Sequence, residues 1–151
     1  MDKDLSKVKR DLKKLLHSQP LAVLATQNRG QPYASLIAFA SCDDLESLYF
    51  ATTRSTRKYA NLSSDSRVAV LVDNRSNKAS DFRWAMAATA TGKAKEVNAR
   101  KRKKALELYL DKHPHLREFV HSPTCALCEI RVQTFFVVTR FQSVVEVHVR
   151  P

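Results

Sequence analysis

Glycine is nearly absent from this chain. Only Gly30 and Gly92 occur in 151 residues, so a glycine-rich phosphate loop of the GxGxxG or GxxxxGK-Ser/Thr kind cannot be built. Any bound phosphate has to be held by side chains and by backbone N–H groups of other residues. Cysteine is scarce as well: three residues, an odd number, do not suggest a disulfide framework. No run of about 18 apolar residues exists, so no segment reads as a membrane-spanning helix. The N-terminal MDKDLSKVKRDLKKLL mixes charge with leucine and lacks the continuous apolar stretch of a signal peptide, which reads as a cytoplasmic protein. Acidic residues are the other shortage: 15 stand against 26 lysines and arginines, a net charge of +11. Such an excess suits nucleic acid, an anionic membrane or a phosphorylated ligand. A soluble protein with a basic surface, alone or with a small anionic ligand, is the plainest reading.

The length fits one domain, 1–151, able to bury a core without staples. Leu5, Val8, Leu12, Leu15 and Leu16 recur at helical spacing over 3–18, and Pro20 closes that element. PLAVLAT (20–26) and PYASLIAFAS (32–41) read as strands of a hairpin turned at Gly30. LYFAT is a third strand, and STRKYANLSS is a short helix capped by Ser55 or Thr56. RVAVLVDN (67–74) is a β-branched strand, RSNKASDFR a polar loop, and WAMAATATGKAKEV (84–97) a long strand. A helical insertion over 98–121 follows, led by ARKRKKALELYLDKH. CALCEIRVQTFFVVTRF and SVVEVHV close the chain as two or three strands. Hairpins dominate, so the expected class is mainly β: a closed or split antiparallel barrel with peripheral helices.

The densest chemistry lies in LYFATTRSTRKYANL (48–62), where a strand end is followed by four hydroxyls and three cations. With PLAVLATQNRGQPYASLIAFA before it and ATATGKAKEV after it, this stretch resembles the FMN-binding split barrels of the pyridoxamine 5'-phosphate oxidase-like family. The resemblance covers about residues 18–97 well and the C-terminal third more loosely. It implies that the turn after the third strand, from Ala51 through Thr52, Thr53, Ser55, Thr56, Arg57 and Lys58, holds the phosphate of FMN. The chemistry is apt: a dianion calls for charge-assisted bonds and a fork-shaped guanidinium, and a helix start offers free N–H groups. The resemblance places the flavin ring edge on the backbone of Leu36, Ile37 and Ala38. It also implies a homodimer with the cofactor at the subunit boundary, where Trp84 and Met86 of the second copy contribute, and it sets Ala87 where the family contacts the flavin. For the turn the plain alternative is a capped helix with solvated cations; Leu36, Ile37 and Ala38 can serve as core and ring edge at once; ordinary core packing accounts for Trp84 and Met86 at least as well.

The chain departs from the vitamin-oxidising members of that family. They carry an arginine near Leu36, a lysine near Ser41 and a glutamine near Ala87, so oxidation of pyridoxamine phosphate itself is not expected. An oxidoreductase passing hydride or electrons to another small molecule is the leading expectation. Haem- or deazaflavin-handling relatives give an alternative, to which His113, His115 and His121 would bear. A basic nucleic-acid-binding module is a third. Against it, RKRKK (100–104) lacks the interleaved aromatics that base stacking needs and reads as a solvated helix face. Cys125 and Cys128, three apart on a strand-like run, point to opposite faces and read as buried thiols, not metal ligands.

Overall fold

The computed structural model describes residues 2–141 and 143–150. Among them seven strands form one antiparallel sheet: β1 (Leu21–Asn28), β2 (Gln31–Ser41), β3 (Ser47–Thr53), β4 (Arg67–Asp73), β5 (Met86–Glu96), β6 (Cys125–Thr139) and β7 (Ser143–His148). Their order is β3-β2-β1-β4-β5-β6-β7, and β3 also pairs with β6. Six strands therefore close into a barrel and β7 extends it from β6. The helices are α1 (Asp2–Ser18), α2 (Arg57–Ser64), α3 (Asp81–Trp84), α4 (Ala99–Lys112) and α5 (Arg117–His121), with a 3-10 turn over Pro114–Leu116. No described helix is long and apolar enough to cross a membrane.

Alternation builds the interior. Ala22, Leu24, Val68, Val70, Val72, Ala88 and Ala90 point inward and are buried, one face of each pleated strand. Leu12, Leu15 and Leu16 of α1 join the same core, whereas Leu5, about two turns before Leu12, is exposed. The alanines of β5 make room for Phe39, Phe50 and Phe135, all fully buried. β6 buries Ala126, Cys128, Ile130 and Val132, then switches parity to Phe135 and Val137. A register shift at Thr91/Gly92 causes the switch, because Thr91 pairs with Thr134 and Gly92 with Val132, leaving Gln133 as the extra residue of a bulge. The β1–β2 turn is two residues long, with Arg29 at φ 50° and Gly30 at φ 82°. That is a hairpin turn of the I′ kind, so Arg29 shares the positive φ expected of the glycine alone.

Two sequence expectations need correction. The polar segment 75–83 is not all loop, since its end winds into α3. The carboxylate of Asp81 accepts from the backbone N–H groups of Ser76 and Asn77, and these local bonds win over strand propensity. The long strand consequently starts at Met86, and Trp84 belongs to α3.

Pro20 leaves a signature on the opposite strand. Leu21 pairs with Ala38, so Pro20 faces Phe39. Proline has no N–H to give, and the buried Phe39 carbonyl takes its bond from the Nε2 of buried His113 instead, at 2.7 Å. Lys112, beside it, donates to the carbonyls of Leu16 and Gln19 at 2.8 and 2.7 Å and lies 3.9 Å over the Phe39 ring. The end of α4 thus fastens the end of α1 to the barrel.

Candidate anion site at the split between two strands

β2 and β3 pair only at Phe39–Phe50, Ala40–Tyr49 and Ser41–Leu48. Beyond that point they part: β2 stays with β1 and β3 with β6. The parting has a specific plug. Phe39 donates its N–H to Pro20, so antiparallel alternation turns the backbone groups of Ile37 and Ser35 toward β1, and those of Ala38, Leu36 and Ala34 away from it. Continued pairing would set Ala38 against Ala51. Instead the hydroxyl of buried Tyr109, from α4, donates to the Ala38 carbonyl at 2.9 Å, with the Ala51 backbone beside it. One phenol replaces the lost strand–strand bond, and burial pushes its pKa up to about 12. Around it Ala40, Val97, Ala105, Leu110, Val120 and Leu127 form a second core under α4. Tyr109→Phe is expected to cost about 1–2 kcal/mol, because the buried Ala38 carbonyl loses its partner. Urea denaturation measures the loss, and amide exchange at Ala51 should accelerate. An unchanged midpoint with unchanged exchange would reduce Tyr109 to a packing residue.

The turn beyond the split is internally bonded. Thr52 is buried, and its hydroxyl meets the Thr53 carbonyl at 3.1 Å and the Thr56 hydroxyl at 2.9 Å. Thr56 is the N-cap of α2, accepting from the Tyr59 N–H at 3.3 Å. The hydroxyls of Thr53 and Ser55 lie 3.3 Å apart. Arg54 turns toward the barrel end: its Nε and Nη2 reach both carboxylate oxygens of Glu96 at 3.3 and 2.5 Å, and its Nη1 reaches the Pro123 carbonyl at 2.9 Å. Tyr59 adds its hydroxyl to Glu96 at 2.8 Å. Hydrogen bonds from Arg54, then from Tyr59, hold the Glu96 carboxyl below its usual range, and the same carboxylate raises the Tyr59 phenol.

Arg57 and Lys58 make no ion pair or side-chain hydrogen bond among the described residues. They occupy the first two positions of α2, where backbone N–H groups also lack helical partners. A guanidinium, an ammonium and a helix start therefore stand together, uncompensated by any carboxylate in the first turn.

The other sequence-predicted residues divide. Leu36 is 66 % exposed with both backbone groups on the free edge of β2; Ile37 is buried, its backbone committed to β1; Ala38 has given its carbonyl to Tyr109. Ala51 is half-buried beside the split. Trp84, Met86 and Ala87 do not join the turn within one chain. Trp84 ends α3 and Met86 and Ala87 open β5, whereas Glu96, which braces the turn, is at the other end of β5, roughly 30 Å away at strand rise. Met86 is half-buried against the core, its N–H held by Asn74 at 2.7 Å. Ala87 is half-buried opposite Val138, and Trp84 is 73 % exposed. Cys125 and Cys128 are free, buried thiols, and burial raises both, Cys128 to about 12. Among the described residues no His, Cys, Asp and Glu group of metal-binding size gathers. His121 bonds Arg117 of its own helix, and His113 is spent on Phe39. Sequence reasoning missed Tyr109 and Glu96, and it set His113 beside a haem, not against the Phe39 carbonyl. The only signal for His113 was the missing N–H of Pro20, and the partner of that proline was not readable.

A barrel whose second and third strands part beside a cation-rich turn defines a split β-barrel. The chain belongs to the pyridoxamine 5'-phosphate oxidase family, whose sequence pattern matches residues 8–139. No curated protein matches it in a sequence comparison. Solved structures share the fold. A heme binding protein from Mycobacterium smegmatis superposes with a TM-score of 0.83 at 15 % identity, over 94 % of this chain and 58 % of that one. The Agrobacterium tumefaciens protein Atu2129 gives 0.78 at 19 %, over 89 % and 57 %. A Mesorhizobium loti FAD-binding protein gives 0.68 at 18 %, over 85 % and 91 %. The chain thus spans less than two thirds of the first two proteins.

Proposed function

We propose that this protein is a flavin mononucleotide-binding protein of oxidoreductase type, with the phosphate held at the start of α2. The observation carrying the reading is that Arg57 and Lys58 stay free while the other polar groups of the turn are satisfied within it. Arg57 would grip the phosphate through two N–H groups and Lys58 through one, with the first N–H groups of α2 completing the cradle. Thr53 and Ser55, at the rim, suit the ribityl hydroxyls. Leu36 offers a free N–H and C=O to a heterocycle edge, and its side chain offers apolar cover. The bound flavin would supply hydride or electron transfer to a small-molecule substrate.

A homodimer fits this reading. Trp84 and Phe82 are 73 % and 63 % exposed, Phe141 is 58 %, and the Phe82 and Phe141 rings meet at 5.0 Å. Leu21 and Leu36, paired with Ala38 and Val23 on the outer face of the sheet, are also exposed. Apolar surface of that kind suits a partner, and a second copy is what could bring Trp84 toward the turn. Absorbance spectra with added FMN and sedimentation equilibrium test the reading together. A flavin spectrum that shifts on binding, at a dimer mass, is expected. A protein that leaves the spectrum of added FMN unchanged refutes the cofactor, and a monomer refutes the shared site.

A further inference from the structure

We propose that Glu96 sets the ligand class of this turn, selecting a single phosphomonoester over a pyrophosphate by withholding Arg54. The inference rests on the reading of the turn as a phosphate site and goes beyond it.

The sequence places three cations within five residues, Arg54, Arg57 and Lys58, and a count of charge alone would aim all three at the ligand. The structure divides them. Arg54 gives two edges of its guanidinium to both oxygens of Glu96 and a third donor to the Pro123 carbonyl. Its charge is matched and its fork faces the barrel end. Two cations remain for the ligand. A phosphomonoester concentrates about −1.5 to −2 of charge on one phosphorus at neutral pH, which an adjacent guanidinium and ammonium balance. A dinucleotide spreads its charge over two phosphoryl groups, and the second needs a donor of its own. Arg54 is the remaining cation of the turn, and Glu96 holds it away. The same carboxylate accepts from Tyr59 at 2.8 Å, so it braces the turn on both sides of Arg57 and Lys58. Glu96 is a positioning residue acting through Arg54 and Tyr59.

The test compares FMN and FAD on the full chain by fluorescence titration. The parent is expected to bind FMN at least tenfold more tightly, one lost charged hydrogen bond being worth about that much. Glu96→Gln keeps the side-chain size and an acceptor oxygen but removes the charge. It should narrow the FMN-to-FAD ratio by about fivefold, the scale of an exposed ion pair. Removing Arg54 as well (Arg54→Ala with Glu96→Gln) should restore the ratio, which a merely structural role would not do. The parent ratio needs no variant to fold. Equal affinity of the parent for both flavins, or a ratio that Glu96→Gln leaves unmoved, overturns the selection by Glu96 and leaves the phosphate site standing. A chain that binds neither flavin, and that inorganic phosphate does not stabilise against heat, overturns the phosphate site and the selection together.

Discussion

Replacing Arg57 and Lys58 together by alanine should weaken FMN binding by more than about a hundredfold. On the proposed reading each would contribute a charge-assisted hydrogen bond of about 1.5–3 kcal/mol, so the pair would supply at least about 3 kcal/mol, and each 1.4 kcal/mol is tenfold in affinity. Neither side chain has a structural task. Both stand free at the helix start while Thr52, Thr56, Arg54 and Tyr59 hold the turn together. The variant should therefore melt at nearly the parent temperature, and loss of binding would not be loss of fold. Quenching of flavin fluorescence on titration reads the affinity. A double variant that binds FMN as tightly as the parent would place the phosphate elsewhere on the molecule.

Gly92→Ala should be the most destabilising small substitution in the barrel. A methyl built there meets the Arg131 carbonyl oxygen at 2.2 Å and its carbon at 2.9 Å. Both atoms are backbone, so no flexible side chain can yield. The bulge at Gln133 is what drives the β6 backbone against β5 at this point, and only a residue without a Cβ admits it. Relief requires opening the β5–β6 ladder beside Val132, a core residue. A cost of about 3 kcal/mol is expected, lowering the melting temperature by about 10 °C in a chain of this size. Gly30→Ala makes the contrast: a methyl there meets nothing within 4 Å, and its cost is limited to the positive φ of the turn. Equal melting temperatures for Gly92→Ala and the parent would show that the ladder yields freely at the bulge.

Local pattern made much of the molecule legible. Alternating small and β-branched residues announce β1, β4 and β5. The leucine spacing announces α1, and the scarcity of glycine rules out the common phosphate loops. The run from Thr52 to Lys58 could be named as an anion site because strand end, cap and cations are consecutive in the chain. Trp84 was misread because its neighbours have strand propensity, whereas the Asp81 carboxylate gathers the N–H groups of Ser76 and Asn77 and starts a helical turn there. Glu96 and Tyr109 were not legible because their partners lie far along the chain: 42 residues separate Arg54 from Glu96 and 71 separate Ala38 from Tyr109.

By itself the sequence determined the period of each element, the sign of the surface charge and the clustering of donors after the third strand, since all three are properties of neighbouring residues. The tertiary structure alone decided which cation is withheld from that cluster, where the second and third strands part, and which hydroxyl fills the gap. Those outcomes depend on the register of non-adjacent strands and on the seating of α4 across them. Burial and hydrogen bonding between distant segments fix both, and no local pattern encodes them.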